Sequence, residues 1–256
     1  AAARVAGAFR YGSSTASTAA AAVATSCAPS VPVDPPPTCQ PPPTGPVTPP
    51  VPPGSAGLID EAAFQARAAN YLQYATQQLG PGSETSIAAH LIRARREPDF
   101  VWDPSLVTVD SLAGTWQMLD DWKDTGDFRV MYLHWVLALG AGVIDPSVLA
   151  AIEQRMVEFR YRWNDPLPAD RVDHKWFWSE NHRIILAVDE YLAGLAFPDR
   201  VFTVTGLTGA QHAQRARPEI LSWIDERARF GFSERHSNVY MLKNITPLLT
   251  LIELCD

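Results

Sequence analysis

Cysteine is scarce in this chain: Cys27, Cys39 and Cys255 are the only three among 256 residues. That is too few for a disulfide-scaffolded fold. Cys27 and Cys39 can pair in an oxidising compartment, whereas Cys255 lies far from both in sequence. No run of roughly eighteen apolar residues occurs, which excludes a transmembrane helix. Strand patterns are nearly absent, with Val201-Phe202-Thr203-Val204 as the only short candidate. His90, His134, His174, His182, His212 and His236 show no paired zinc spacing and no His-Glu-x-x-His. A glycine-rich phosphate loop and a Gly-x-Ser-x-Gly elbow are also missing. The sequence therefore indicates no cofactor and no metal.

Charge is thin at one end. Residues 1–55 hold only Arg4, Arg10 and Asp34, so the remainder carries 19 basic and 27 acidic groups within a chain of net −7. So acidic a chain is a poor electrostatic match for nucleic acid.

Composition divides the chain into three. Residues 1–28 are rich in Ala, Ser and Thr. They read as a low-complexity segment or the remnant of a secretory signal, and Val23-Ala24-Thr25-Ser26-Cys27 is faintly lipoprotein-like. Residues 29–55 form a proline-rich linker, with 13 of the 22 prolines by position 53, and such a run favours an extended spacer. A spacer after a possible signal points to a secreted or cell-surface protein. Residues 56–256 have helical patterning nearly throughout. Position 1 is not Met and the last residues continue a helical pattern, as expected for a piece of a longer protein.

Eight helices are expected in that third part. They run from Leu58 to Leu79, from Ser83 to about Arg96, from Asp110, from Phe128 to Leu139, and from Asp145-Pro146 to about Trp163. The sixth starts at Ser179, the seventh runs from Thr208 or Gly209 to Gly231 with a kink or split at Pro218, and the eighth starts at Thr246-Pro247. The fold class predicted is all-α, built of antiparallel helix pairs.

The densest chemistry lies in Trp176-Phe177-Trp178-Ser179-Glu180-Asn181-His182-Arg183. Ser179 is a good N-cap, which puts Glu180, Asn181 and His182 in the first helical turn, where exposed N–H groups favour an anion. The apolar stripe Ile185, Val188, Leu192 and Leu195 follows at helical spacing. Each of these residues also has a bland reading: the polar ones cap the helix and the tryptophans pack beneath it. A second polar loop, Gly231 to Tyr240, carries Glu234, Arg235 and His236.

Asn181-His182 at one helix start, followed by Tyr240 after the next helix, resembles the helical-toroid polysaccharide lyases. These include the alginate lyase and heparinase II/III-like families. Tyr191-Leu192-Ala193-Gly194 and Gly231-Phe232-Ser233-Glu234 add to the resemblance, which spans about residues 58–256. It implies an incomplete (α/α) toroid, with further helix pairs and a β-sandwich beyond Asp256. It also implies catalytic Asn181, His182 and Tyr240 acting on a polysaccharide or oligosaccharide.

The chemistry is coherent. Eliminating a 4-linked uronate removes C5–H beside a carboxylate, whose charge opposes carbanion formation unless a donor such as Asn181, helped by Arg183, binds it. The helix N-terminus is expected to keep His182 neutral and able to accept the proton. Tyr240 can protonate the leaving oxygen. Trp176 and Trp178 offer faces for sugar rings, and Glu180, Glu234, Arg235 and His236 complete the candidate substrate-binding set. Two alternatives stay open: a glycoside hydrolase using Glu180 and Glu234, and a non-catalytic glycan-binding module that needs only the tryptophans.

Overall fold

The structure, a computed structural model, describes residues 60–78 and 83–255. The Cys27–Cys39 pairing, the 1–28 segment and the 29–55 linker lie outside the described residues. Eight α-helices are present: α1 (Glu61–Gln78), α2 (Glu84–Arg96), α3 (Ala113–Asp120), α4 (Gly126–Gly140), α5 (Pro146–Glu158), α6 (Glu180–Ala196), α7 (Gly209–Phe230) and α8 (Tyr240–Leu254). Among the described residues there is no strand; the Val201 candidate forms one isolated antiparallel bridge with Thr208. No described helix is long and apolar enough to cross a membrane.

The architecture centres on α6. It packs most extensively on α7 and also against α8 and α4, while α2 contacts both α4 and α1. Every residue from Glu180 to Gly194 except Arg183 is buried. The expected stripe is thus part of a helix enclosed on nearly all sides. One apolar cluster joins α2, α4 and α5 with Trp116, Tyr161 and Phe202. A second joins α6, α7 and the end of α8 around Ile184, Val188, Ile220 and Trp223.

Contacts at both ends show that α6 and α7 are antiparallel. At the start of α6, the Glu180 carbonyl accepts from the Trp223 indole at 2.9 Å. At its end, Gly194 and Gly209 let the two backbones meet: a Cβ on Gly194 would lie 2.4 Å from the Gly209 carbonyl oxygen and 2.6 Å from the Ala213 nitrogen. A full capping box of Thr208 and Gln211 opens α7.

Three boundaries differ from the sequence pattern, each for a local reason. α5 ends at Glu158 rather than near Trp163, because other groups take its last carbonyls: the Tyr161 hydroxyl donates to Met156 (2.8 Å) and the Thr203 N–H to Val157 (3.1 Å). Pro218 lies inside one continuous α7 and does not split it. α8 starts at Tyr240, six residues before Thr246, with Pro247 in its interior. Ser237 serves its entry, its Oγ accepting from the Tyr240 N–H at 3.1 Å, while the Thr246 hydroxyl donates back to the Leu242 carbonyl at 2.7 Å.

The close α6–α7 crossing has a direct test. Gly194→Ala forces backbone apart from backbone, so overpacking should destabilise the chain by about 2–3 kcal/mol in denaturant unfolding. An unchanged midpoint would show that the crossing has slack.

Candidate functional site

Two helix N-termini meet at the site. Ser179 caps α6, its Oγ accepting from the His182 N–H at 3.3 Å. His182 Nδ1 lies 2.6 Å from Oδ2 of Asp127, in the first turn of α4. The imidazole stacks on Phe128, with centroids 5.0 Å apart and planes 18° apart. On that same Phe128 ring rests the Lys243 ammonium, 4.7 Å from the centroid.

This partnership changes the expectation that the helix terminus keeps His182 neutral. Burial does lower its pKa, but the hydrogen bond and negative charge of Asp127, with help from Asp124, outweigh burial and raise it. Asp127 is itself pushed up by burial, against the His182 hydrogen bond and backbone N–H groups. With the Nδ1 proton directed to Asp127, Nε2 is left as the basic atom. Asp127 Oδ1 and Asn181 Nδ2 are both buried without a hydrogen-bond partner, so the site holds one spare acceptor and one spare donor. The Asn181 side-chain oxygen Oδ1 accepts from the Ser179 hydroxyl.

Beneath the site, burial lowers the Lys175 pKa to about 8 despite its partner Asp173. Asp173 also pairs with the buried Arg160 at 2.7 Å. The segment from His174 to Trp176 is stitched to the loop before α4: His174 N–H donates to the Trp122 carbonyl (3.1 Å) and Trp176 N–H to Asp124 (3.3 Å). In that loop Trp122 and Thr125 hold left-handed backbone angles, φ 45° and 64°. Such angles cost energy in residues other than glycine and need support from their surroundings.

Deeper along α6, Asp189 and the α4 residue His134 face each other at 3.5 Å, both buried. Burial raises Asp189 well above the usual carboxylate range and lowers His134 to about 3. Burial thus disfavours charge on both members of the pair.

Exposure alternates along the segment, with His174, Trp176 and Trp178 exposed, Lys175 buried and Phe177 half-buried. Phe177 packs on the core, whereas Trp176 and Trp178 are 54% and 57% exposed. The core-packing reading of the two tryptophans therefore does not hold. Arg183 is the one exposed residue of the first α6 turns and pairs loosely with Glu226 at 3.3 Å.

Glu180 is buried and occupied. It accepts from Arg227, from the Ser233 N–H at 3.1 Å and from the Asn244 amide at 3.2 Å. That carboxylate ties the second polar loop and α8 to the start of α6. The second loop borders an open hollow of about 670 Å³ that Glu234, Arg235, His236 and Tyr240 line and that Asn181 and His182 do not. Glu234 Oε2 is buried without a partner, while Arg235 and His236 are exposed, 3.3 Å apart. Tyr240, Lys243 and Asn244 share one face of α8. Lys243 touches the Phe128 beneath His182 and Asn244 touches Glu180, which puts Tyr240 about one helical turn from both contacts.

Sequence reasoning passed over Asp127, Phe128, Lys243 and Trp163. Starting the fourth helix at Phe128 left Asp127 outside it, although an acid after Gly126 at the head of an apolar run is a first-turn signal. Nothing local marks Lys243 or Trp163, since their neighbours come from other helices. Among the described residues, no group of three or more His, Cys, Asp or Glu side chains converges to hold a metal ion.

Two outcomes follow. Both shifts in the Asp127–His182 pair are upward, so its stabilisation is complete below the unfolded values and declines as pH rises, for His182 above about 6.5. The stability gap between the native chain and Asp127→Asn should therefore shrink between pH 6 and pH 9, and a gap that widened would contradict the pairing. Glu180→Gln should cost about 2 kcal/mol in denaturant unfolding, because it removes the buried charge that Arg227, the Ser233 N–H and Asn244 share and leaves Arg227 only the more exposed Glu226. A neutral result would mean that Arg227 is satisfied elsewhere.

No protein family, no curated protein and no solved structure matches the chain.

Proposed function

We propose that this chain is a carbohydrate-active enzyme, a polysaccharide lyase that cleaves a uronate-containing glycan by β-elimination on an incomplete (α/α) toroid. The observation that carries the reading is the Asp127–His182 pair at two converging helix N-termini, with Tyr240 one turn from the Lys243 that shares its Phe128. An imidazole oriented by a buried carboxylate is a general base with a defined free nitrogen. In the proposed reaction His182 Nε2 takes the C5 proton, the electron pair forms the C4=C5 double bond, and the C4–O4 bond breaks as Tyr240 protonates O4. The spare Asn181 donor binds the uronate carboxylate, once its side chain turns from beneath the surface. Lys243 and Arg129, close enough for Arg129 to lower the Lys243 pKa further after burial, give the rim a positive field for an acidic glycan. The proposed setting is secreted or cell-surface, following the proline-rich linker.

One observation favours the hydrolase as a second reading: the unpartnered, buried Oε2 of Glu234 beside the open hollow. Glu180 is a poor second carboxylate for it, being held by Arg227, Asn244 and a backbone N–H.

Incubation with a panel of uronate polysaccharides separates the two, because only elimination produces the ultraviolet absorbance of an unsaturated sugar. His182→Ala and Tyr240→Phe should each lower kcat by roughly a hundredfold or more, with Glu234→Gln nearly unaffected. The acidic limb of the pH profile should lie above the ordinary histidine value and move down in Asp127→Asn. Reducing ends without absorbance, lost in Glu234→Gln, would establish the hydrolase instead.

A further inference from the structure

A second cavity, of about 250 Å³, lies along the α6 face that continues from Arg183 through Leu186 and Ala187 to Glu190. Its outer wall is a pair of tryptophans from different segments, Trp163 and Trp178, with ring centroids 5.1 Å apart at 42°. Each is 57% exposed. Large aromatic rings left in water along one wall of a cleft forgo the burial that tryptophan ordinarily gains.

What fixes the pair is unusually costly. Arg160, 6% exposed, donates to the carbonyls of Trp163 and Asp165 and pairs with Asp173. Arg215 forks onto both oxygens of Asp165 at 2.7 and 2.9 Å. Buried ion pairs contribute little net stability and are better suited to holding a geometry. Here they hold the backbone beneath Trp163, while the Ser179 cap holds the backbone beside Trp178.

Charge in the cavity cancels. Arg162 gives its guanidinium to Glu190 (2.8 Å), Glu219 (3.0 Å) and the Arg215 carbonyl (2.6 Å), and Arg183 leans on Glu226. The exposed Asn164 amide lines the same space. A rigid aromatic wall, a neutral amide and balanced charges suit a ring that stacks and carries hydroxyls, not one recognised by its charge. The volume falls below the range of about 300–1,000 Å³ typical for enclosing a whole drug-sized ligand, which restricts the occupant to about one ring.

We infer that the Trp163–Trp178 cleft is a charge-indifferent subsite for a single hexopyranose ring. It rests on the carbohydrate reading of the protein but not on lyase chemistry, and it contrasts with the cationic rim around His182. Binding can be read without turnover, so its failure and that of the lyase reading are distinguishable.

The test is tryptophan fluorescence of the full chain titrated with uncharged cellohexaose, mannohexaose and chitohexaose, and with hexamannuronate. At least one uncharged hexasaccharide should shift the emission, with a Kd that is the same in low and high salt. Trp163→Ala and Trp178→Ala should each weaken that binding roughly tenfold or more, with circular dichroism unchanged because both rings are exposed. Arg183→Ala should change it little. Absence of binding by all three uncharged hexasaccharides, binding indifferent to both tryptophans, or affinity that falls steeply with salt would each overturn the inference.

Discussion

A helix buried nearly all round that still encloses three carboxyl groups and an imidazole sets the terms for this fold. Along α6, Glu180, His182, Asp189 and Glu190 are all enclosed, and an enclosed charge must be paired, hydrogen-bonded or neutralised. Each finds its own solution. Glu180 takes Arg227, His182 takes Asp127, and Asp189 faces His134 with its pKa pushed up by burial. Glu190 gathers Arg162, His212 and Arg215. The partners come from α4, α5's exit, α7 and α8, so pairing these groups fixes how the neighbouring elements stand around α6. Apolar packing alone, being non-directional, would leave more freedom in their register.

The same pairings shape the electrostatics at the surface. Asp127 overrides both the helix N-terminus and burial in setting the His182 pKa. Glu180 is spent on architecture and holds the loop that leads to Tyr240. A basic imidazole therefore stands beside the Lys243 ammonium, with Arg129 nearby but paired to Glu84 at 2.5 Å. The exposed tryptophans one segment away face a space with no net charge.

Helix number and kind were legible in the sequence because caps and periodicity are local: Ser83, Asp145, Ser179 and Thr208 all cap through their side chains. The start of α8 was not, because Thr246-Pro247 imitates a cap so well while the real entry rests on Ser237, which accepts from the Tyr240 and Met241 N–H groups. The end of α5 depends on Tyr161 and Thr203 reaching back to its carbonyls, which no window of sequence reveals. For the site, the cluster from Trp176 to Arg183 was visible as a stretch, yet its division of labour was not. Exposure separated Trp176 and Trp178 from Phe177, and burial made Glu180 a structural anchor. Asp127, 55 positions from His182, is found only through the α4–α6 contact.

The central claim is that Asp127 makes His182 a base with one defined free nitrogen. Nitrogen NMR of the His182 imidazole across a pH titration tests it most directly. The expected result is a pKa above the ordinary histidine value of about 6.5, with the neutral form protonated at Nδ1 and Nε2 free. Titration below that value, or a neutral ring protonated at Nε2, would contradict it.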